Sequence, residues 1–270
     1  MSASEAAEGC RLAAESITIG YEGRTVSEEL TLHVPDGGLT VIVGPNACGK
    51  STLLKALGRL IPARRGRVLL DGRDIASPPS RELARTLGLL PQSPIAPEGI
   101  TVAELVARGR HPHQGLLRRW SQEDERAVAE ALRACGVAEL SGRRLEELSG
   151  GQRQRAWIAM ALAQQPSVLL LDEPTSFLDM AHQLELMELL TRLRRAGTTL
   201  VAVLHDLNQA ARYASRLVVM RDGRILAQGP PERILTAQLV EEAFDLRCAV
   251  HPDPVFGAPS VTPIARIARD

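Results

Sequence analysis

Apolar and polar residues alternate along the first part of the chain and then change period. Segments 12–19 and 30–34 alternate on either side of Gly20-Tyr21-Glu22-Gly23, which predicts two half-buried strands joined by a turn. Asp36-Gly37-Gly38 marks a second turn, before a short apolar strand that begins at Val41. The period then lengthens. Leu53, Leu54 and Leu57 share one face of a helix predicted over 49–60, which stops before Pro62. Residues 67–72 read as a strand ending in a turn, 78–85 as a helix with proline in its first turn, and 87–92 as a buried strand with Gln92 just past its end.

Strand patterns disappear between about Ser93 and Gly142. A helix with a Thr101-x-x-Glu104 start is followed by a basic loop that holds His111, His113, Arg118, Arg119 and Trp120. Ser121 then opens a long helix, acidic in its first turn, that runs to about Cys135. The pattern predicts a helical subdomain inserted into an α/β core. His111 and His113 flank a proline in a basic loop, which fits a solvated contact surface better than a metal site.

The rest returns to α/β text. A periodic helix spans 152–164, and 168–173 is an unbroken apolar strand ending in two carboxylates. After the loop 174–179 a helix places Leu186, Leu189, Leu190 and Leu193 on one face and ends at Arg194, Arg195 and Gly197. A buried strand over 198–204, a hairpin around Arg221-Asp222-Gly223-Arg224 and two short helices follow. The residues around Pro252, Pro254, Pro259 and Pro263 read as a plain tail.

Composition narrows the class. The 270 residues carry 32 Lys+Arg and 32 Asp+Glu, so the net charge gives no sign of a nucleic-acid or anionic-lipid binder. No apolar run reaches the roughly 18 residues that cross a bilayer. The first nine residues lack the basic-then-apolar order of a signal peptide. Cys10, Cys48, Cys135 and Cys248 lie far apart, as in a reduced protein without a disulfide framework or zinc site.

The chemistry gathers on residues 44–51, written G-x-x-x-x-G-K-S between a strand and a helix. Gly44 and Gly49 let the backbone bend, so that successive N–H groups form an anion seat at the helix start. Lys50 suits the β- and γ-phosphates of a nucleoside triphosphate, and the Ser51 hydroxyl suits Mg²⁺. Pro45, Asn46, Ala47, Cys48 and Thr52 complete the loop. A thiol near a helix N-terminus tends to have a lowered pKa, but Cys48 is read first as a small residue that fits. Ser149, Gly150, Gly151 and Gln152 open a helix and form a second exposed anion seat. Asp172 suits Mg²⁺ held through water, and Glu173 suits polarising an attacking water. His205, just beyond a buried strand, suits donation to a γ-phosphate. Tyr21 fits either a purine stack or an edge-strand tyrosine.

Together these residues resemble the ATP-binding cassette (ABC) subunits of membrane transporters, over about residues 11 to 250. Tyr21 matches the aromatic loop, 44–51 the phosphate loop, Gln92 the Q-loop, 148–152 the signature, Asp172 and Glu173 the catalytic strand, and His205 the switch histidine. Ser176, Leu178 and Asp179 match the D-loop. Ala47 departs from the family, which often has glycine there. Segments 101–114, 153–162, 178–183 and 204–215 look like ferric-siderophore importers of the ferric-enterobactin type; haem and cobalamin importers share much of this text.

The resemblance implies an α/β fold. A P-loop NTPase core carries an N-terminal antiparallel β subdomain and an inserted α-helical subdomain. The core would be 11–92 and 151–250, the helical subdomain 93–150, and the tail 251–270. It implies ATP and Mg²⁺ as ligands, with Ser51, Gln92 and Asp172 toward the metal, and Tyr21 stacked on adenine. Catalysis would use Glu173, His205, Lys50 and Gln92. Two cassettes would meet head to tail, with ATP between Lys50 of one copy and Ser149, Gly150 and Gly151 of the other, and with Asp179 also at the nucleotide. Two transmembrane permease subunits would be direct partners, and an extracytoplasmic substrate-binding protein an indirect one. The chain would lie peripherally on the cytoplasmic face of the inner membrane. A cassette clamp on DNA or the ribosome is the rival class. It fits poorly, because no sustained heptads separate phosphate loop and signature, and one cassette with zero net charge lacks a basic linker.

Overall fold

In the computed structural model residues 10–115, 120–176 and 178–267 are described. The expectations for residues 1–9, for Arg118 and Arg119, for Phe177 and for 268–270 lie outside them. Contacts divide the chain into two compact units, 1–77 with 199–270 and 78–198.

The first unit begins with β1 (Cys10–Tyr21) and β2 (Arg24–Pro35), an antiparallel pair turning at Glu22-Gly23. Next come the fully buried β3 (Leu39–Val43) and α1 (Lys50–Leu57). The helix ends three residues earlier than its apolar face suggests, because Arg59 turns into the left-handed region. β4 (Arg65–Leu70) and β5 (Arg73–Asp74) complete a sheet of order β2-β1-β4-β5.

The second unit holds α2 (Ser80–Thr86), β6 (Leu87–Leu90), α3 (Val102–Ala107), α4 (Gln122–Ala134), α5 (Gly150–Ala163), β7 (Val168–Asp172) and α6 (Met180–Arg195). β6 and β7 pair in parallel. The helix α5 packs on both α3 and α4, so contacts group the signature helix, β6 and β7 with the inserted segment. The divisions therefore fall at 77/78 and 198/199, where sequence and resemblance suggested 92/93 and 150/151. Capping boxes at Thr101 and Ser121 start α3 and α4, and a third at Ser149 starts α5 two residues before its apolar period does.

The segment 108–113 corrects the sequence reading. It is a 3₁₀ turn, and not all of it is solvated. Arg110 is fully buried, paired with the equally buried Asp124 at 2.9 Å, and it donates to the Ala163 carbonyl at 2.8 Å. His113 meets the Gln164 carbonyl at 2.8 Å, while His111 is exposed. Among the described residues no group of three His, Cys, Asp or Glu is placed to hold a metal.

The chain returns to the first unit through β8 (Thr199–Val203), α7 (Leu207–Tyr213), β9 (Arg216–Arg221), β10 (Arg224–Gly229), α8 (Pro231–Ile234) and α9 (Ala237–Phe244). β3 runs parallel to β8 on one side and to β9 on the other, and β10 closes antiparallel on β9. Every side chain of β3, β7 and β8 is buried. Each Val or Leu there contributes about 1.5–3 kcal/mol by leaving water. The residues expected to form a plain tail instead build a hairpin, β11 (Leu246–Pro252) with β12 (Pro259–Arg266). Among the described residues no helix is long and apolar enough to cross a membrane.

Candidate active site

In the first unit the phosphate loop leaves the end of β3 and enters α1. A β-carbon on Gly44 would lie 2.3 Å from the Met220 carbonyl oxygen and 2.8 Å from Cys48 Sγ, so no larger residue fits. Gly49 takes φ 106 as the residue before α1, a conformation that favours glycine. Ala47 also lies in the left-handed region, at φ 63, which accounts for the glycine common there in similar loops. The buried Lys50 ammonium donates to the carbonyls of Gly44 and Pro45, both at 2.8 Å. Those bonds bring its stem back over the loop and hold the charge against the Gly44 and Pro45 carbonyls. Ser51 and Thr52 follow in the first turn of α1, while Pro45 is half-buried and Asn46 exposed. Burial pushes the Cys48 thiol up, against the opposing pull of Lys50, a direction opposite to the lowering that a helix N-terminus favours.

Tyr21 ends β1 and is 47% exposed. The Arg64 guanidinium donates to its carbonyl and fixes the backbone beneath a ring left open to solvent. His205 follows the end of β8 and is exposed. The next residue, Asp206, caps α7 by accepting from the amides of Asn208 and Gln209 at 2.8 and 3.0 Å. The Asn208 side-chain amide then grips Val261 of β12 twice, donating to its carbonyl at 3.2 Å and accepting from its N–H at 2.7 Å. His205, Asn208, Phe244, Leu246 and Val261 help line a cavity of about 280 Å³. Sequence reasoning missed this bracing because it read β12 as a tail.

The second unit holds the other residues. Asp172 ends β7 and is 3% exposed. Glu173 takes φ 51, a left-handed conformation that turns the chain sharply at the strand end and costs of order 1–3 kcal/mol. Its Oε2 accepts from Gln92 Nε2 at 2.6 Å and from Ser176 Oγ at 3.1 Å. The structure thus joins Gln92 to Glu173 directly. Ser176, which the sequence placed only in the D-loop match, is a further support.

Ser149, the exposed N-cap of α5, accepts from the Gln152 backbone amide at 3.3 Å, and Gln152 Oε1 accepts from the Ser149 backbone amide at 3.1 Å. Gly150 is exposed and Gly151 buried, both in the first turn. Asp179 caps α6. Its Oδ1 accepts from the His182 amide at 2.9 Å and pairs with His182 Nδ1 at 2.7 Å. The His182 backbone and ring hold the Asp179 carboxyl below the usual carboxylate range.

Taken unit by unit, the oxygen donors are of the kind a hard cation such as Mg²⁺ takes: a hydroxyl at Ser51 in the first unit, and a buried carboxylate at Asp172 and an amide at Gln92 in the second. A phosphate-bound Mg²⁺ ordinarily needs only one or two carboxylates from protein.

Comparison with known proteins supplies a family. Residues 27–176 match the model of the ABC transporter family. The chain is 55% identical over 259 residues to the ferric enterobactin transport ATP-binding protein of Escherichia coli, covering 96% of each chain. It is 48% identical to the achromobactin transport ATP-binding protein of Dickeya dadantii, over 94% of this chain and 95% of that one. An inward-facing structure described as a metal-chelate type ABC transporter superposes with a TM-score of 0.82 at 26% identity, covering 95% of this chain and 98% of that one. A dimeric bacterial ABC transporter cassette superposes with a TM-score of 0.72 at 28% identity, covering 81% and 98%.

Proposed function

We propose, from the premise that this chain belongs to the ABC transporter family, that it is the ATP-hydrolysing subunit that energises import of an iron(III)–siderophore complex. The observation that carries the hydrolytic part is Glu173. It is a carboxylate turned out at the end of a fully buried strand and held on one oxygen by Gln92 and Ser176. The siderophore part rests on the transport roles of the similar ATP-binding proteins.

Each side chain has a task in that reaction. Tyr21 stacks on adenine. The backbone of 44–49 cradles the phosphates, with Pro45, Asn46, Ala47 and Cys48 setting its curvature, and Lys50 places a charge at the β- and γ-phosphates. Ser51, Asp172 and Gln92 would hold Mg²⁺, which when bound would neutralise charge building up on the phosphates. Glu173 orients the attacking water and accepts its proton, and His205 donates to the γ-phosphate. Ser149, Gly150, Gly151 and Gln152, with Asp179, meet the nucleotide held by a second copy, so two cassettes close head to tail around two ATP molecules. Closure is passed through the Q-loop to two transmembrane permease subunits, which receive cargo from an extracytoplasmic substrate-binding protein. The cassette therefore sits peripherally at the cytoplasmic face of the inner membrane.

A pull-down tests the reading. The Glu173→Gln protein with ATP, used as bait in membranes solubilised in mild detergent, should recover a polytopic permease. Recovery of DNA or ribosomes without a membrane protein would overturn it.

A further inference from the structure

The second unit brings the signature glycines and the D-loop carboxylate onto one side chain that neither motif contains. A β-carbon on Gly151 would lie 2.5 Å from Cδ2, 2.8 Å from Cγ and 3.1 Å from Nε2 of His182, so the imidazole rests on the bare backbone of the first turn of α5. The same ring pairs with Asp179 at 2.7 Å through Nδ1. Gln183 anchors the loop behind it, donating to the Leu178 carbonyl at 3.0 Å and the Thr175 carbonyl at 3.4 Å. One ring therefore spans α5 and the N-terminus of α6.

The geometry points to His182 as a positioning residue of the two-copy nucleotide site: it sets the distance between the signature turn at Gly151 and the carboxylate of Asp179, so that both present to the partner's nucleotide as one surface. The inference rests on the head-to-tail reading of the site given above. It also supplies a reason for glycine at 151 that phosphate access does not. Gly151 is not in the left-handed region, so its backbone accepts any residue. The obstacle to a side chain is the ring. His182 is 32% exposed and its Asp179 partner 66% exposed, which leaves the pair at the surface and makes its role in overall stability small. Asp179 also keeps its cap on α6 without the ring, because it accepts from the His182 backbone amide.

The test uses the full chain in the Glu173→Gln background, which should hold ATP without hydrolysing it, and measures ATP-dependent dimerisation by sedimentation. His182→Ala should raise the ATP concentration for half-maximal dimerisation roughly tenfold, the equivalent of losing one charge-assisted bond. ATP binding to the monomer and the melting temperature should stay unchanged. His182→Asn keeps a donor at the place of Nδ1 and should recover most of the loss. Dimerisation of His182→Ala at the parent's ATP concentration would overturn the assignment, and so would equal behaviour of the Ala and Asn variants. A Glu173→Gln parent that stays monomeric in saturating ATP would instead overturn the head-to-tail reading, and the His182 assignment with it.

Discussion

Gln92 donates through Nε2 to Oε2 of Glu173 across 2.6 Å, although 81 residues separate the two in sequence. The proposed general base is thus tied to a residue two positions past the end of β6, the neighbour of its own strand. Gln92 has one amide and two proposed uses, orienting Glu173, to which it is bonded, and meeting Mg²⁺. Gln92→Ala should therefore lower kcat by roughly tenfold, about 1.4 kcal/mol of lost orientation, while ATP binding changes little. Steady-state ATPase assays beside equilibrium nucleotide binding check the split.

Glu173→Gln replaces the proposed proton acceptor by a near-isosteric amide. ATP binding should persist, hydrolysis should fall by roughly 10²–10⁴-fold, and dimers should accumulate with ATP. Single-turnover hydrolysis measures the chemical step directly. Turnover at the normal rate would remove Glu173 from its role.

The Lys50 ammonium is already held over the phosphate loop by two carbonyls. Lys50→Ala should weaken ATP binding roughly 100-fold, near 2.7 kcal/mol, because a preorganised charge at the phosphates is lost. Fluorescence titration with a labelled ATP reads this. Retained affinity would contradict the placement of the phosphates.

These tests touch the parts most legible in the sequence. The phosphate loop was readable because its demands are local: a left-handed glycine at 49 just before α1, and a lysine six residues beyond Gly44 whose stem reaches back to it. The buried strands β3, β7 and β8 were readable because unbroken apolar runs leave few alternatives. Long-range pairing was not. Nothing local ties Gln92 to Glu173 or His182 to Gly151, and charge alone made the 108–113 turn look solvated although Arg110 is buried. Prolines hid the last hairpin. Pro252 and Pro259 face each other at its mouth, where a missing amide disturbs little, so a sequence that reads as tail pairs as strands.

Ala47 stands at φ 63, where a side chain strains the backbone. Ala47→Gly should raise stability by about 1 kcal/mol and the melting temperature by about 2–4 °C. Calorimetry checks it, with ATP binding preserved.

Asp124 is buried against Arg110. Burial raises its pKa, but hydrogen bonds from Ser121 and Arg110 outweigh that and leave the carboxyl below the usual range. A depressed carboxylate stabilises the fold above its unfolded pKa, and that contribution is lost as pH falls through the folded value, below the ordinary carboxylate range. Asp124→Ala should strand the Arg110 charge at a cost of about 3–5 kcal/mol, lowering the melting temperature by roughly 10 °C at neutral pH. Melting curves from neutral to acid pH should show the gap between wild type and variant closing on the acid side.

The most direct measurement is uptake of radioactive iron as a ferric-enterobactin-type chelate by cells whose own copy of this chain is replaced by Glu173→Gln. The account predicts that uptake is abolished while the variant still co-sediments with membranes. Undiminished iron uptake, or a loss confined to haem or cobalamin, would contradict it.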